Sequence, residues 1–180
     1  MRVTGLDLSL TGTGVANLRP NEPTVGLLRL SSAPAGDGWP DRFARIQELS
    51  DQIVEAVAAG GAPRLVVLEA PAYGSRTGHV HDRAGLWWSA YRRVSRQCAV
   101  VVVPPTVRAK YATGRGNAGK DEVLAAVVRR YPWAEVENND HADALVLAAM
   151  GARWLGEPVE ESLPKAAVEA VGRVEWPDVY

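Results

Sequence analysis

Four carboxylates stand where charge is least expected. Asp7 interrupts the apolar, β-branched run Val3 to Leu8, and a charge in a buried strand is costly unless something pairs with it. Glu69 closes the continuous apolar run Leu65 to Leu68, with Pro71 forbidding much continuation. The carboxyl end of such a strand is where open α/β sheets place ligands. Asp140 and Asp143 lie three apart at a helix start, so they share one face, which continues through Leu147 and Met150. Taken singly, each has an ordinary explanation: Asp7 satisfies a turn, Glu69 pairs with an arginine, Asp140 caps a helix. Taken together they converge if the first and fourth strands are neighbours and a final helix packs across them. Converging carboxylates repel, so some stay protonated or cations join them. Oxygen-only ligands suit Mg²⁺ or Mn²⁺, not zinc. Two such ions about 4 Å apart can clamp a phosphodiester, activate a water and steady the leaving oxygen.

The elements that must position these groups follow from periodicity. Three strands are predicted first, Val3 to Leu8, Gly12 to Leu18 and Thr24 to Leu30, linked by short turns that favour an antiparallel meander. Pro40 to Ala59 reads as a helix, with Phe43, Ile46, Ile53 and Val57 at helical spacing and Gly60-Gly61 as its stop. Leu65 to Leu68 and Ala99 to Val103 read as strands covered on both faces. Asp82 to Gln97 is predicted helical, then a short segment Thr106 to Tyr111, a loop Thr113 to Gly119, and helices Lys120 to Tyr131 and Asp140 to Trp154. The expectation is an α/β fold over 1–156: a mixed five-stranded sheet, three strands antiparallel then two parallel, with helices on both faces. Residues 157–180 read as a C-terminal tail with a short helix at Pro164 to Val171, able to pack back through Trp176.

The 180 residues suit one domain, and the 47% hydrophobic share supplies a core. A charged share of 23% excludes wholesale disorder. One cysteine, Cys98, leaves neither an intrachain disulfide nor a cysteine zinc site. No apolar run reaches the roughly 20 residues of a membrane span, and Met1 to Leu10 lacks the pattern of a signal peptide. The expectation is a cytoplasmic protein with no membrane partner. The net charge of −1 hides an asymmetry: Arg76 to Arg130 holds 11 basic residues against 3 acidic ones. Such a middle can present one positive face to nucleic acid, or it can simply be a set of solvated helix faces.

Four ordered segments carry a resemblance to the RuvC-type Holliday junction resolvases of the ribonuclease H-like superfamily, and the compact, short-linked chain would suit a bacteriophage version of the family. GLDLSLTGTGVA (Gly5 to Ala16) resembles the family's first strand, catalytic Asp and glycine-rich turn. VVLEAP (Val66 to Pro71) resembles its strand ending in the catalytic Glu. TGRGNAGKDEV (Thr113 to Val123) resembles its G-x-G-x-x-x-K loop, and NDHADALVLA (Asn139 to Ala148) its D-x-x-D-A helix. The resemblance implies a Mg²⁺- or Mn²⁺-dependent endonuclease with two ions per site. It would resolve four-way DNA by paired symmetric hydrolysis, in the cytoplasm of a bacterial or phage-infected cell. Asp7, Glu69, Asp140 and Asp143 match the catalytic, metal-ligating carboxylates, and Lys120 matches the lysine near the scissile phosphate. A second family lysine falls on Ala109, so Arg108 or Lys110 stands in for it. DNA contacts are expected from Tyr73, stacking at the branch point, and from Arg76, Arg83, Arg108, Lys110, Arg115 and Lys120 on phosphates. His141 is turned about 100° away from Asp140, and the His79/His81 pair lacks a third ligand. A homodimer is expected, since a four-way junction needs two nicks and the chain has carboxylates for one site; the helix Asp82 to Gln97, with Leu86, Trp87, Trp88 and Tyr91, is its expected interface.

Three other readings stay open. The segment LDLSLTGTGVA also resembles the phosphate loop of actin-like ATPases, which normally need two such domains and twice the length. The chain can be a non-catalytic DNA-binding module of the same fold. It can also be a nuclease of wider structure selectivity, acting on flaps or forks.

Overall fold

A computed structural model describes residues 1–34, 36–71 and 79–178. The elements are β1 (Val3–Asp7), β2 (Thr13–Arg19), β3 (Thr24–Leu30), α1 (Trp39–Ala58), β4 (Leu65–Glu69), α2 (Val80–Val94), β5 (Ala99–Val103), α3 (Pro105–Thr113), α4 (Lys120–Arg130), α5 (Asn139–Trp154) and α6 (Lys165–Val171). One five-stranded sheet runs in the order β3-β2-β1-β4-β5. The first three strands pair antiparallel, while β1/β4 and β4/β5 pair parallel, as the short early links and later helical crossovers require.

Strand alternation divides the interior in two. Val3, Leu65, Val67, Val101 and Val103 point to the face covered by α3, α4, α5 and α6, whereas Leu6, Val66 and Leu68 point to the face covered by α1 and α2. Gly5 and Asp7 share the parity of Val3, and Glu69 that of Leu65 and Val67. Both carboxylates therefore belong to the α5 face.

The helix ends follow local chemistry. Pro40 sits in the first turn of α1, and Gly60 (φ 80°) and Gly61 (φ 103°) follow its last turn. Helix α2 begins at Val80, two residues ahead of the expected Asp82, and ends at Val94 rather than Gln97. Asp82 is thus in its first turn, held by Nε and Nη2 of Arg42 at 2.5–3.1 Å and by His79 Nδ1 at 3.1 Å. Asp121 and Glu122 open α4 and Arg129 and Arg130 close it, each suiting the helix dipole.

The segment after α5 is bound to the rest. Trp176 stacks on Trp154 with centroids 5.4 Å apart. The buried Glu160 carboxylate accepts from Tyr111 Oη at 2.7 Å, from Tyr131 Oη and from Arg153 Nη2 at 3.1 Å. Lys110 on α3 pairs with Glu169 on α6 at 3.4 Å. Among the described residues no helix is long and apolar enough to cross a membrane.

Candidate active site

Strands β1 and β4 run parallel with Leu6 opposite Leu68. The next residue on each is a carboxylate, so Asp7 and Glu69 lie side by side where both strands end. Trp87 of α2 fixes this end of β4 by donating Nε1–H to the Glu69 carbonyl at 2.9 Å. Helix α5 lies over the same place. Its cap is Asn138, whose side-chain oxygen accepts from the His141 backbone N–H at 2.9 Å. It approaches the sheet closely because β1 and β2 present glycine there: a Cβ on Gly5 would strike the Ala144 carbonyl, and one on Gly14 the Asp140 carbonyl. This contact delivers Asp140 and Asp143 to the carboxylates of β1 and β4.

Two arginines meet the four acids. The Arg108 guanidinium, from the middle of α3, pairs with Glu69 through Nε and with Asp143 through Nη1; all three side chains are largely buried. Arg29, at the exposed end of β3, donates Nε–H to Asp140 Oδ2 at 2.7 Å and Nη2–H to the Thr11 carbonyl at 2.9 Å. The Asp7 carboxylate has no hydrogen-bond or ion-pair partner among the described residues, though its backbone pairs with Gly14 in the sheet.

Burial pushes the Asp7 carboxyl up to about 7, with the charge of Glu69 adding to the rise and those of Arg108 and Lys120 opposing it. Burial likewise raises Asp143 to about 6, against the pull of Arg108. Glu69 is raised for the same first reason. For Arg108, burial works against the charge, but Glu69 and Asp143 outweigh it. Perturbed carboxyls in this density mark a site where a cation or a proton is wanted.

The expected phosphate contacts are placed unevenly. Lys120 is the exposed first residue of α4, near enough for its charge to act on Asp7, Glu69 and Asp143. Arg115 is exposed and paired with Glu122, and Arg83 is exposed on α2. Arg108 and Lys110, expected alternatives for a phosphate contact, both turn elsewhere: Arg108 inward to the carboxylates, Lys110 to α6. Tyr73 and Arg76 lie outside the described residues. His141 is buried and lines a cavity with Trp133, Glu135 and Glu137; burial lowers its ring pKa. His79 serves Asp82.

An arginine partner for Glu69 was one of its ordinary explanations, though without naming Arg108; the contacts of Arg108 with Asp143 and of Arg29 with Asp140 were not expected. For Arg29 the sequence holds no local signal, since 111 residues separate it from Asp140. For Arg108 the signal was its proximity to the position of the missing lysine.

In donor chemistry the described residues of the site fit Mg²⁺ or Mn²⁺: four hard carboxylate donors, no sulfur, and one buried carboxylate with no partner among the described residues. The cluster is not closed around a single point, however. Among the described residues no three His, Cys, Asp or Glu side chains converge tightly enough to ligate one ion, with Glu69, Asp143 and Asp140 engaged by arginines.

The raised Asp7 pKa has a stability consequence. The folded chain holds this proton more tightly than the unfolded chain, so the contribution is full below about pH 4 and is lost as pH rises through about 7. In EDTA, the melting temperature of Asp7→Asn relative to wild type should climb by several degrees between pH 4 and pH 8. A gap that stays constant would mean that Asp7 titrates as an ordinary carboxylate.

No family model matches the chain, and no curated protein matches its sequence. Solved structures do match in shape. Thermus thermophilus RuvC in complex with Holliday junction substrate superposes with a TM-score of 0.65 at 17% identity, covering 91% of this chain and 99% of that one. A second structure of Thermus thermophilus RuvC gives 0.62 at 18% identity, covering 87% and 98%. The yeast mitochondrial Holliday junction resolvase Ydc2 gives 0.56 at 14% identity, covering 87% and 79%. The likeness runs over nearly the whole length of both Thermus thermophilus structures: with its mixed sheet in the order β3-β2-β1-β4-β5 and helices on both faces, the chain has the ribonuclease H-like fold seen in RuvC.

Proposed function

We propose that this chain is a divalent-metal-dependent endonuclease that resolves four-way DNA junctions. The observation that carries this reading is the gathering of Asp7, Glu69, Asp140 and Asp143 where β1 and β4 end beneath α5, on a fold shared with resolvases solved with Holliday junction DNA. Asp7, Glu69, Asp140 and Asp143 would hold Mg²⁺ or Mn²⁺, two ions per site. Those ions would supply charge to the phosphodiester and lower the pKa of the attacking water. The chain's own residues do the rest. The glycine contacts of β1 and β2 with α5 fix the spacing of the acids, and Lys120 offers positive charge to the phosphate from the mouth of the site. The basic middle of the sequence steers and holds the DNA backbone.

The deciding experiment is cleavage of labelled four-way, three-way, flap and linear DNA with mapped cuts, in Mg²⁺ and in EDTA. Paired symmetric cuts in the four-way substrate, lost in EDTA, are expected. Equal cutting of flaps and forks would make the chain a broader branched-DNA nuclease, and binding without cutting a non-catalytic module.

Lys120→Ala should reduce the single-turnover rate by about 100-fold, as removal of a donor to developing charge does, with little change in junction affinity. Weaker binding with an unchanged rate would make Lys120 an ordinary phosphate contact.

The working unit in this reading is a two-fold homodimer. Leu86 and Trp87, expected at the interface, are instead buried within the protomer, and Trp87 stacks on Tyr91 with centroids 5.3 Å apart. Trp88 is left 63% exposed on the outer face of α2. Trp88→Glu should convert a dimer to a monomer in light scattering at micromolar protein. A wild-type monomer, both free and on junction DNA, would end this part of the proposal.

A further inference from the structure

We propose that Arg108 is a built-in counter-cation that competes with divalent ions for Glu69 and Asp143, so that ion entry requires its guanidinium to leave them. The inference rests on the metal-dependent reading above and concerns what this chain does before an ion arrives.

Three observations lead to it. First, one guanidinium spans two acids from different elements, Glu69 at the end of β4 and Asp143 on α5, through separate nitrogens. The Arg108 side chain is only 10% exposed, and those of Glu69 and Asp143 are 11% and 5% exposed. A planar fork of this kind is well suited to bridging two carboxylates. Second, the other arginine at the site is different: Arg29 reaches Asp140 with 46% of its side chain exposed, and exposed pairs hold little. Arg29 is readily exchanged, whereas Arg108 is in the way. Third, the Asp7 side chain has no partner among the described residues, and Lys120 is exposed at the start of α4. The acids thus divide into one free, one loosely held and two engaged by the same buried cation.

With Arg108 on Asp143 Oδ1 and Glu69 Oε2, and its Nη2 3.4 Å from Glu69 Oε1, only Asp143 Oδ2 is left clear of it, so a divalent cation ligated by both acids would sit against the guanidinium's own positive charge. The two cations therefore compete for the same acids, and either one neutralises them. This accounts for a folded site whose donors suit Mg²⁺ yet do not converge on one point. It also predicts that ion affinity is set by the work of displacing Arg108 as well as by the donors.

The test is calorimetric titration of Mn²⁺ into the full chain without DNA, for wild type, Arg108→Gln, Arg108→Lys and Asp7→Asn. Arg108→Gln should bind Mn²⁺ at least about tenfold more tightly than wild type, Arg108→Lys should lie between them, and Asp7→Asn should bind more weakly. Equal or weaker binding by a folded Arg108→Gln overturns the proposal, since Arg108 then props the acids into ligating positions; the metal-dependent reading would survive that result. If neither wild type nor Arg108→Gln binds Mn²⁺, the metal-dependent reading itself fails and the proposal falls with it.

Removing one partner from a buried ion pair can unfold a protein, so thermal melting supplies a second readout. Mn²⁺ should raise the melting temperature of Arg108→Gln by several degrees more than that of wild type. If Arg108→Gln is unfolded in EDTA, refolding on Mn²⁺ addition supports the competition, and failure to refold overturns it.

Discussion

Asp7→Asn should lower the rate of junction cleavage by about a thousandfold or more while leaving junction affinity within a few-fold of wild type. Asp7 is the carboxylate with no partner among the described residues, and burial together with Glu69 pushes its pKa to about 7. It is the acid most in need of a cation. An amide in its place offers a neutral oxygen and removes the charge that draws the ion. Losing a metal's several kcal/mol of transition-state stabilisation corresponds to about three powers of ten in rate. Affinity comes mainly from basic side chains on phosphates, and removing a negative charge does not weaken those contacts. Single-turnover cleavage at saturating protein, with a binding titration in Ca²⁺, separates the two quantities. Cleavage by Asp7→Asn within a few-fold of wild type would falsify the catalytic assignment.

Gly5→Ala is expected to have the largest effect on stability. The added Cβ would meet the Ala144 carbonyl oxygen and, at 2.7 Å, the Ala148 backbone nitrogen. Both are main-chain atoms of a buried helix, so neither can rotate away as a side-chain end does. Overpacking a well-filled core costs 1–3 kcal/mol and sometimes more; with backbone as the obstacle, about 3 kcal/mol and a fall of roughly 10 °C in melting temperature are expected. The helix pushed aside carries Asp140 and Asp143, so cleavage by the surviving folded protein should fall as well. Gly26→Ala is the control, since a Cβ there has nothing within 4 Å, and it should be near neutral. Similar melting temperatures for both variants would mean that α5 does not rest on Gly5.

The sequence made some features legible and hid others, for identifiable reasons. Strands β3 and β5 occupy the expected residues, Thr24–Leu30 and Ala99–Val103, because turn residues or prolines bound each run. The neighbourhood of Asp7 and Glu69 was legible too, given short antiparallel links followed by a helical crossover. Arg108 was harder. It and Lys110 are two positions apart on one helix, about 200° around its axis, so only one can face the acids. Which one does so is decided by α3 packing between α5 and α6, and no local pattern encodes that. Arg29 stands in a strand whose other face is solvated, where an arginine bound to a distant aspartate reads like any surface charge. Leu86 and Trp87 were misassigned to an interface because apolar periodicity records burial without saying whether the covering surface belongs to the same chain.

The buried Glu160 gives distant residues leverage over the site. It holds the hydroxyls of Tyr111 on α3 and of Tyr131 just beyond α4, and it is itself held by Arg153. Arg108 lies three residues before Tyr111 on the same short helix. An expression fragment ending at residue 156 would strip a carboxylate from two buried phenols and an arginine, groups that are costly to leave without partners. It would also release α3 from the Lys110–Glu169 tether. Fragment boundaries chosen by eye from the four carboxylate-bearing segments would therefore alter the grip of the guanidinium on Glu69 and Asp143. A substitution some fifty residues along the chain from Arg108 can in this way change how firmly the acids are held, without touching any of them.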